Sequence, residues 1–560
     1  MDDLVGSLES FEQGALGLNW PEHMAGDPAA GVETGMLDAG KPSTQLYGAC
    51  SIETYRAAGA LHAAHRDAGG FLDAVDSFAA PDYWRRDAAV KSWFYDSRLP
   101  AAAGRNIDAV RVFYHAGHGR MDGAGNFRLP MGALWTGVDG CLDGNRMWLG
   151  ADRLRYLFWS TSESLCVSDG RNPLRSWARS NAGLRMMFGF DSVCWDSGTY
   201  GANFWRHWRM GKSFSQAWLD GAWDVAHDQN PVVAACGATR EEALATLFGE
   251  RRFDAARAKG SWWAWRWHAP LAAHRRDIVL SAPPSELRAA RLVPVIEDTA
   301  LAERVLAALS ISSRLVPRDE QGRMSVSNGT ARFLRRADGH ILLELAVTEP
   351  GERERSRVPI QRRAIVNRAR SALRRFGFVP PGSELIFDRI SLALSATQCL
   401  HMAAEPPVEM LDEIIVQFRQ SIGDVPLLTP GAGTLRLAMR PDGTVLRIES
   451  TLRQVAELLP ARTYPASGSD DPPVPEGFAP TCAPEAPGTA QSLARHSARL
   501  MRDLAARGAA PLHLTTLPGT TEVGYGIRSN TARIVAREGI EIECARGFRK
   551  RYWMQSNLGD

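Results

Sequence analysis

Two short polar clusters carry the side chains of this sequence that could do chemistry. The first is His115-Ala-Gly-His118-Gly119, and the second is Ser160-Thr-Ser162-Glu-Ser-Leu-Cys166. Acyl transfer requires a hydroxyl or thiol nucleophile, an imidazole or similar group that manages its proton, and donors aimed at the oxyanion. The two clusters together therefore predict a nucleophilic site, whose geometry depends on the elements that precede them.

Each cluster follows an apolar run that is typical of a buried strand. Residues 109–114 (AVRVFY) and 156–159 (YLFW) are short and rich in β-branched and aromatic side chains, which favours strands of a parallel sheet. Ligands of open α/β sheets bind beyond the carboxyl ends of such strands. We therefore expect the two strands to be adjacent and parallel, with both clusters at one edge of the sheet.

The two strand ends resemble those of the caspase-like cysteine peptidases (caspase, gingipain and legumain types), in which a His-Gly pair ends one strand and a Cys ends the next. Within that group they most resemble the uncharacterised bacterial family DUF6345, which carries a Tyr-x-Gly-His-Gly strand end and a strand ending in Ala-Cys-x-x-Leu. Residues 114–119 correspond to the first motif, and residues 161–165 correspond to the second, except that Ser162 stands in the place of the nucleophilic Cys. His118 and Ser162 are 44 residues apart, against ~50 in the caspase pattern. The resemblance continues through residues 183–190 and 211–218.

This resemblance implies a role for each residue of the site. His118 is the acid/base that protonates the leaving amine, Gly119 and the amide of Ser162 form the oxyanion site, and the Ser162 side chain takes the nucleophile's place. His115 and Glu163 are supporting candidates, although His115 also suits a packing role at a strand end. Cys166 is a further thiol, but one turn of helix would carry it ~6 Å from position 162, which favours a buried structural cysteine.

Serine at position 162 weakens the prediction of activity. A thiol with a pKa of ~8.5 supplies some thiolate near neutrality, whereas a serine hydroxyl needs a well-aligned base. Three explanations are open: a deliberate Cys-to-Ser change, a degenerate relative that only binds, or a serine that is a true nucleophile. The resemblance thus predicts a cysteine-type endopeptidase (a hydrolase) that is inactive or impaired, and the alternative is a non-catalytic module that binds peptides or proteins. Asp191 and Asp196 are the candidate pocket acids, which would select Arg or Lys at the cleavage site.

Composition narrows the class of protein. The 560 residues predict two or three domains. The 65 basic and 63 acidic residues nearly balance, so neither nucleic acid nor an anionic membrane is expected as a partner. Eight cysteines without a C-x-x-C pair argue against a zinc cluster or a disulfide framework, and we predict no metal and no cofactor.

The acidic amino terminus is unlike a secretory signal, and no long apolar span occurs in the sequence. We therefore expect a soluble cytoplasmic protein. The alternative is secretion by a route that lacks such a signal.

The pattern along the chain predicts four segments. We expect a flexible arm over residues 1–43, a three-layer caspase-like α/β domain with a mainly parallel sheet over 44–285, and two smaller α+β modules over 286–425 and 426–560. The last module contains a Pro-rich loop at 464–487. The modules faintly resemble PepSY domains, which often accompany peptidases. If either covers the cleft above His118, we expect intramolecular inhibition that truncation near Arg288 would relieve.

The periodicity of apolar residues and the turn signals predict the individual helices, strands and hairpins. Hairpins are expected to turn at 338–339 and 442–443, where Asp-Gly pairs occur, and the alternating tryptophans of 262–267 predict a strand that forms a seam with the next domain. The remaining predicted helices are 53–65, 70–78, 200–227, 361–376, 411–421 and 490–507, and the remaining predicted strands are 45–52, 184–190, 231–237, 522–527 and 541–544.

Overall fold

The computed structural model describes residues 45–558 with several gaps. These gaps are residues 56–57, 77–78, 97, 99–105, 133–139, 272–287, 328–330, 346–353, 356–359, 380–384, 461–488 and 508–510. The predicted arm (1–43) and the predicted Pro-rich loop (464–487) lie outside the described residues.

The described chain contains a mixture of helices and strands, and it is an α/β protein with a large mixed sheet. The helices are α1 Ala64–Val75, α2 Pro173–Trp177, α3 Tyr200–Trp208, α4 Phe214–Trp223, α5 Arg240–Gly249, α6 Ala300–Ala308, α7 Arg362–Arg375 and α8 Thr489–Arg507. The strands of the first half are β1 Tyr47–Ser51, β2 Tyr83–Arg86, β3 Val112–Ala116, β4 Arg120–Met121, β5 Phe127–Pro130, β6 Cys141–Asp143, β7 Tyr156–Ser160, β8 Met186–Phe190, β9 Pro231–Gly237 and β10 Trp262–Pro270.

The strands of the second half are more numerous. They are β11 Ala290–Leu292, β12 Met324–Ser327, β13 Ala331–Arg335, β14 Ile341–Leu345, β15 Glu354–Arg355, β16 Leu385–Cys399, β17 Val408–Ile422, β18 Val425–Pro426, β19 Thr434–Met439, β20 Val445–Ser450, β21 Val455–Leu458, β22 His513–Thr516, β23 Glu522–Arg528, β24 Thr531–Glu543 and β25 Arg549–Asn557.

One 16-stranded sheet runs through both halves of the chain. Its main path is β12-β13-β14-β20-β19-β17-β16-β10-β9-β8-β7-β3-β1-β2. The strands β2, β1, β3, β7 and β8 are parallel to one another, and β9 begins the antiparallel part. The prediction that the strands before the two polar clusters are adjacent and parallel is therefore confirmed.

The strands β1, β3, β7 and β8 are buried on both faces, and their successive side chains point to opposite faces. On one face, the ring of Phe158 lies 4.0 Å from that of Phe188 and 4.8 Å from that of Phe204 in α3. On the other face, the ring of Trp159 lies 5.3 Å from Phe127 in β5 and 5.9 Å from Trp177 in α2. Aromatic packing on both faces thus holds the strands that carry the polar clusters.

The sheet continues into the second half through β10 and β16. These strands pair antiparallel from Trp262↔Cys399 to Pro270↔Ser391, while the other edge of β10 pairs with β9. The predicted tryptophan seam is confirmed. Truncation near Arg288 would remove β16 and expose the edge of β10, so it would disturb folding as well as any regulation.

A second sheet is built from the carboxyl-terminal strands. β24 pairs with β11, β22, β23 and β25, and β21 extends the sheet beyond β11. A third, three-stranded sheet contains β4, β5 and β6. Because β25 is an outer strand of its own sheet, its second edge is available to other parts of the chain.

Three predicted helices are wrong. The described residues of the predicted helix 53–65 are not helical before α1 begins at Ala64. The predicted helix 200–227 is two helices, since Gly211 between them has φ +80° and ends the first helical path. Residues 411–421 lie in strand β17, where burial on both faces removes the alternation that identifies a strand.

The other predicted elements are largely confirmed, with shifted ends. The predicted strand 109–114 is β3 and starts three residues later. Both Asp-Gly hairpins occur, as β13–β14 and β19–β20. The predicted helix 361–376 is α7, and the predicted strand 522–527 is β23.

Buried ion pairs tie the two halves together. The Lys212 ammonium contacts His207 Nδ1 at 2.8 Å, Asp220 Oδ2 at 2.8 Å and Glu449 Oε1 of β20 at 2.7 Å. Arg266 of β10 pairs with Glu413 of β17 at 2.8 Å. Buried charges are costly unless each finds partners, so these pairs fix the position of the second half on the first.

We predict that Lys212→Met destabilises the protein. The change leaves the buried carboxylates of Asp220 and Glu449 without their shared cation, and breaking a buried pair in this way costs about 3–5 kcal/mol. Urea denaturation should show this loss of unfolding free energy. Lys259→Met at an exposed position is the control, expected to change stability by less than about 0.5 kcal/mol, and equal effects of the two changes would contradict the role of Lys212.

Candidate functional site

The two polar clusters leave the sheet side by side. Ala116 at the end of β3 lies opposite Ser160 at the end of β7, and the Gly117 amide donates to the Ser160 carbonyl at 3.3 Å. His118 and Ser162 each follow two residues beyond these positions. The parallel register therefore brings both residues to one edge of the sheet.

His118 lies in an aromatic enclosure and is fully buried, with 0% exposure. Its amide donates to Tyr55 Oη at 3.0 Å, and its ring lies 5.0 Å from that of Tyr55 and 6.1 Å from that of Phe548. Neither ring nitrogen makes a hydrogen bond of normal geometry to a described residue. Burial, assisted by the nearby Lys550 ammonium, lowers the pKa of His118 to about 3, so the imidazole is neutral near pH 7.

Ser162 is 1% exposed and is held by backbone from two distant segments. Its Oγ donates to the Arg549 carbonyl at 3.3 Å and accepts from the Cys194 amide at 3.2 Å. The same Oγ lies 3.5 Å from Cys194 Sγ. The hydroxyl is thus directed towards β25 and Cys194, and it makes no hydrogen bond to the His118 ring.

Gly119 is required by close packing. A Cβ at this position would lie 2.7 Å from the Phe127 ring and 2.9 Å from Thr161 Cβ. Only glycine therefore lets the loop pass between these side chains. The oxyanion role of Gly119 and of the Ser162 amide stays a prediction.

Two of the three supporting candidates, His115 and Cys166, are buried side chains. His115 is buried, and its Nδ1 lies 2.8 Å from Tyr95 Oη; burial lowers the pKa of His115 to about 3. Burial, with Asp191 and Glu163 nearby, raises the pKa of Cys166 to about 12, and its Sγ donates to backbone carbonyls at 3.5 and 3.6 Å. The His115 imidazole and the Cys166 thiol are thus neutral and buried, which is typical of side chains that pack in a protein core.

Glu163 differs from these two residues because it forms an ion pair beside Ser162. Its Oε1 pairs with the Arg549 guanidinium at 2.6 Å, and its Oε2 accepts from the Met121 amide at 3.1 Å. Glu163 also has φ +54°, a left-handed conformation that is uncommon for a residue with a side chain. The carboxylate is therefore fixed beside Ser162 at some conformational cost.

The carboxylates of the two predicted pocket acids accept from amides of other segments. Asp191 Oδ1 accepts from the Val167 and Ser168 amides at 2.7 and 3.1 Å, so it caps the turn after Cys166. Asp196 Oδ2 accepts from the His62 amide at 2.8 Å, and burial raises the pKa of Asp196. The carboxylate that contacts a basic side chain beside Ser162 is Glu163, and a pocket role for the two aspartates stays a prediction.

Sequence reasoning missed three groups of the site. Cys194 follows β8, which is the third parallel strand, so the argument used for the first two strand ends could have found it. Lys550 is 3% exposed, and its Nζ lies 3.1 Å from Cys194 Sγ and 3.3 Å from the Gly117 carbonyl. Asp67 accepts from Ser160 Oγ at 2.6 Å and Tyr114 Oη at 2.8 Å, and burial raises the pKa of Asp67 to about 6. For Lys550 and Asp67 no sequence signal exists.

A Ser-His-Asp hydrogen-bond chain lies at the end of the neighbouring strand β1. Ser51 Oγ lies 2.8 Å from His65 Nδ1, and His65 Nε2 lies 2.8 Å from Asp87 Oδ2. The Ser51 side chain is fully buried, and its Oγ also accepts from Trp84 Nε1 at 2.9 Å. With its hydroxyl enclosed in this way, the chain ties β1 to α1 and to the segment after β2.

Within the described ranges, one group of three side chains has the spacing of a metal site. It consists of His207, Asp220 and Glu449, whose ligand atoms lie within 4.8 Å of one another. The Lys212 ammonium contacts all three groups, so a resident cation of the protein itself fills this place. None of the helices that the structure describes is long and apolar enough to cross a membrane.

The burial of His118 predicts a pH dependence of stability. Between pH ~6.5 and ~3, the unfolded chain holds a proton on this histidine that the native state does not, so the free energy of unfolding falls as pH falls, by at most about 1.4 kcal/mol per pH unit for this group. We expect His118→Gln to reduce that slope in denaturation experiments across this range. His401→Gln at an exposed position is the control, and an unchanged slope in His118→Gln would contradict the burial of a neutral imidazole.

A model of a known protein family matches part of this chain. Residues 49–267 match the family model described as Domain of unknown function (DUF6345). The matched segment begins in β1 and ends in β10, so it contains both polar clusters. The resemblance of the two strand ends to this family is confirmed over these residues.

One solved structure has partial similarity. It is the crystal structure, at 1.45 Å resolution, of an uncharacterized protein from Eubacterium rectale ATCC 33656. The two chains are 9% identical, the similarity covers 50% of this chain and 86% of that chain, and the TM-score is 0.30. A search of curated proteins found no match.

Proposed function

We propose that residues 44–285 form a caspase-like peptidase domain of the cysteine type, in which Ser162 occupies the nucleophile's position and leaves peptide hydrolysis impaired. The observation that carries this proposal is the register of β3 and β7, which places His118 and Ser162 two residues beyond paired strand ends. An imidazole and a nucleophile on adjacent parallel strands are the arrangement that the resemblance implies. The three-layer arrangement, the PepSY-like nature of the later modules and a cytoplasmic location belong to the same proposal.

The surroundings of His118 and Ser162 support the proposal that peptide hydrolysis is impaired. A serine nucleophile needs a base that accepts its proton, but the Ser162 hydroxyl is directed to the Arg549 carbonyl and to Cys194. The His118 imidazole, with its pKa lowered to about 3, is a weak base. A cysteine at position 162 would ionise more readily than serine, so it would depend less on that base.

The second candidate is a non-catalytic module that binds peptides. The observation in its favour is that extended backbone already pairs with the loop after β8, where the Asp196 amide donates to the Arg551 carbonyl at 2.8 Å. A binding module has no need of contact between His118 and residue 162. The two candidates therefore differ in whether a thiol at position 162 produces cleavage.

We predict that Ser162→Cys creates cleavage of peptides if the first candidate is correct. The assay uses a diverse peptide library with the full chain, both with and without a second change, Arg549→Gln, that loosens β25. Residue 162 should then become sensitive to thiol alkylation, and Cys166→Ala should leave cleavage intact because that thiol is neutral and buried.

The decisive control is His118→Ala in the Ser162→Cys protein. Loss of cleavage with an unchanged circular dichroism spectrum is expected, since the imidazole makes no structural hydrogen bond of normal geometry within the described ranges. Cleavage that survives this change, or that requires Cys166, would exclude the assigned dyad. A well-folded Ser162→Cys protein that cleaves nothing, with or without Arg549→Gln, would favour the binding module.

A further inference from the structure

Resting on the function proposed above, we propose that the start of β25 lies in the peptide groove of the site as an internal ligand. We further propose that the groove selects extended basic peptides, with Glu163 as the residue that determines specificity. The substrates of this groove are peptides with an arginine followed by a second basic residue, and the start of β25 competes with them.

Phe548, directly before β25, and the first residues of β25 contact successive parts of the site. The Phe548 ring lies 6.1 Å from the His118 ring. The Arg549 carbonyl accepts from Ser162 Oγ at 3.3 Å, and Lys550 Nζ donates to the Gly117 carbonyl at 3.3 Å. A peptide carbonyl therefore faces the side chain at the nucleophile's position, as the carbonyl of a bound substrate would.

The backbone of the segment is bound as an added strand. Arg551 forms a parallel bridge with Trp195, in which the Asp196 amide donates to the Arg551 carbonyl at 2.8 Å and the Arg551 amide donates to the Cys194 carbonyl at 3.4 Å. Addition of an extended strand through main-chain hydrogen bonds is a recurring mode of peptide recognition, in which side-chain pockets supply specificity. The loop after β8 thus offers an edge that any extended peptide could use.

The side-chain contacts select positive charge. Arg549 pairs with Glu163 at 2.6 Å and with Glu541 of β24 at 3.3 Å. Of these two carboxylates, Glu163 follows Ser162 directly and is held by the Met121 amide and by its left-handed backbone. Charge-assisted pairs of arginine with a carboxylate are strong and geometrically specific, so Glu163 would favour arginine in an incoming peptide as well.

The next position also accepts a cation. Lys550 is almost fully buried, and its ammonium contacts Cys194 Sγ and a backbone carbonyl, while the buried carboxyls of Asp67 and Asp196 interact with it at longer range. Burial of an ammonium without a direct carboxylate partner gives little stability. Binding in a slot prepared for a basic side chain explains this arrangement better than stability does.

The experiment follows the reactivity of a thiol at position 162, which requires no cleavage. In the full-length Ser162→Cys chain, alkylation by iodoacetamide is located by peptide mapping. We expect slow reaction because β25 covers the position, and a rate at least about tenfold higher when Arg549→Gln or Lys550→Met is added. Arg549 is 42% exposed on its side chain, so its replacement keeps the test valid even if Lys550→Met fails to fold. Gln555→Ala, at an exposed position of the same strand, is the control and should change nothing.

Selectivity is tested by adding a peptide to the Ser162→Cys/Arg549→Gln chain. The probe has the sequence of residues 546–553, RGFRKRYW, and its partner carries Gln in place of the central arginine. We expect the arginine peptide to slow alkylation about tenfold and the glutamine peptide to have little effect. Adding Glu163→Gln should abolish this difference, whereas adding Glu541→Gln should preserve it.

The possible results separate this inference from the proposed function. Equal alkylation rates in all β25 variants, or equal protection by both peptides, would overturn the inference even if Ser162→Cys cleaves peptides. Protection by the arginine peptide that is lost with Glu163→Gln would support the inference, and in a protein without any cleavage it would at the same time refute the peptidase proposal.

Discussion

The burial of paired charges between the two halves of the chain is the constraint on which the rest of the structure depends. Lys212, Arg266 and Arg436 are all buried, and each contacts a carboxylate in the other half of the chain. Each such group would be costly without its partner. The two halves are therefore obliged to meet in one register, and the sheet that runs through β10 and β16 has a single arrangement.

The way in which the two halves meet also determines which segment covers the carboxyl ends of β3, β7 and β8. The second sheet is built from strands of the second half, and its strand β25 reaches the loops that follow β7 and β8. Cys194, Ser162 and Gly117 come from three loops that follow parallel strands, and one short segment of β25 contacts all three. The chemistry available to the site is consequently set by a distant part of the chain as much as by the polar clusters themselves.

The sequence allowed much of the parallel core to be predicted because buried strands and their polar ends have a local signature. The same local signature gave a wrong prediction for β17, which is buried on both faces. Its composition is compatible with a helix and with a buried strand, so the sequence did not distinguish the two. It also missed the break at Gly211, since a single glycine is compatible with a helix. Local pattern is reliable for β3 and β7 because turn residues follow each of them directly.

The candidate site was predictable only in the part that adjoins those strands. His118, Ser162 and Glu163 were recognised, whereas Cys194 needed the same reasoning to be applied to a third strand. Arg549 was beyond reach, because it meets Ser162 across a separation of 387 residues and no local pattern records such a contact. Basic residues on an outer strand have the composition of an ordinary solvated surface.

The long separation along the chain between β25 and the loop after β8 has a consequence for the newly made protein. Lys550 contacts Cys194 across 356 residues, and ribosomes add about 5–20 residues per second. Roughly 20–70 s of synthesis thus separate the emergence of the loop after β8 from that of the strand that contacts it. Until β25 is made, basic segments of other chains, including neighbouring copies on the same messenger, meet no internal competitor at the proposed groove.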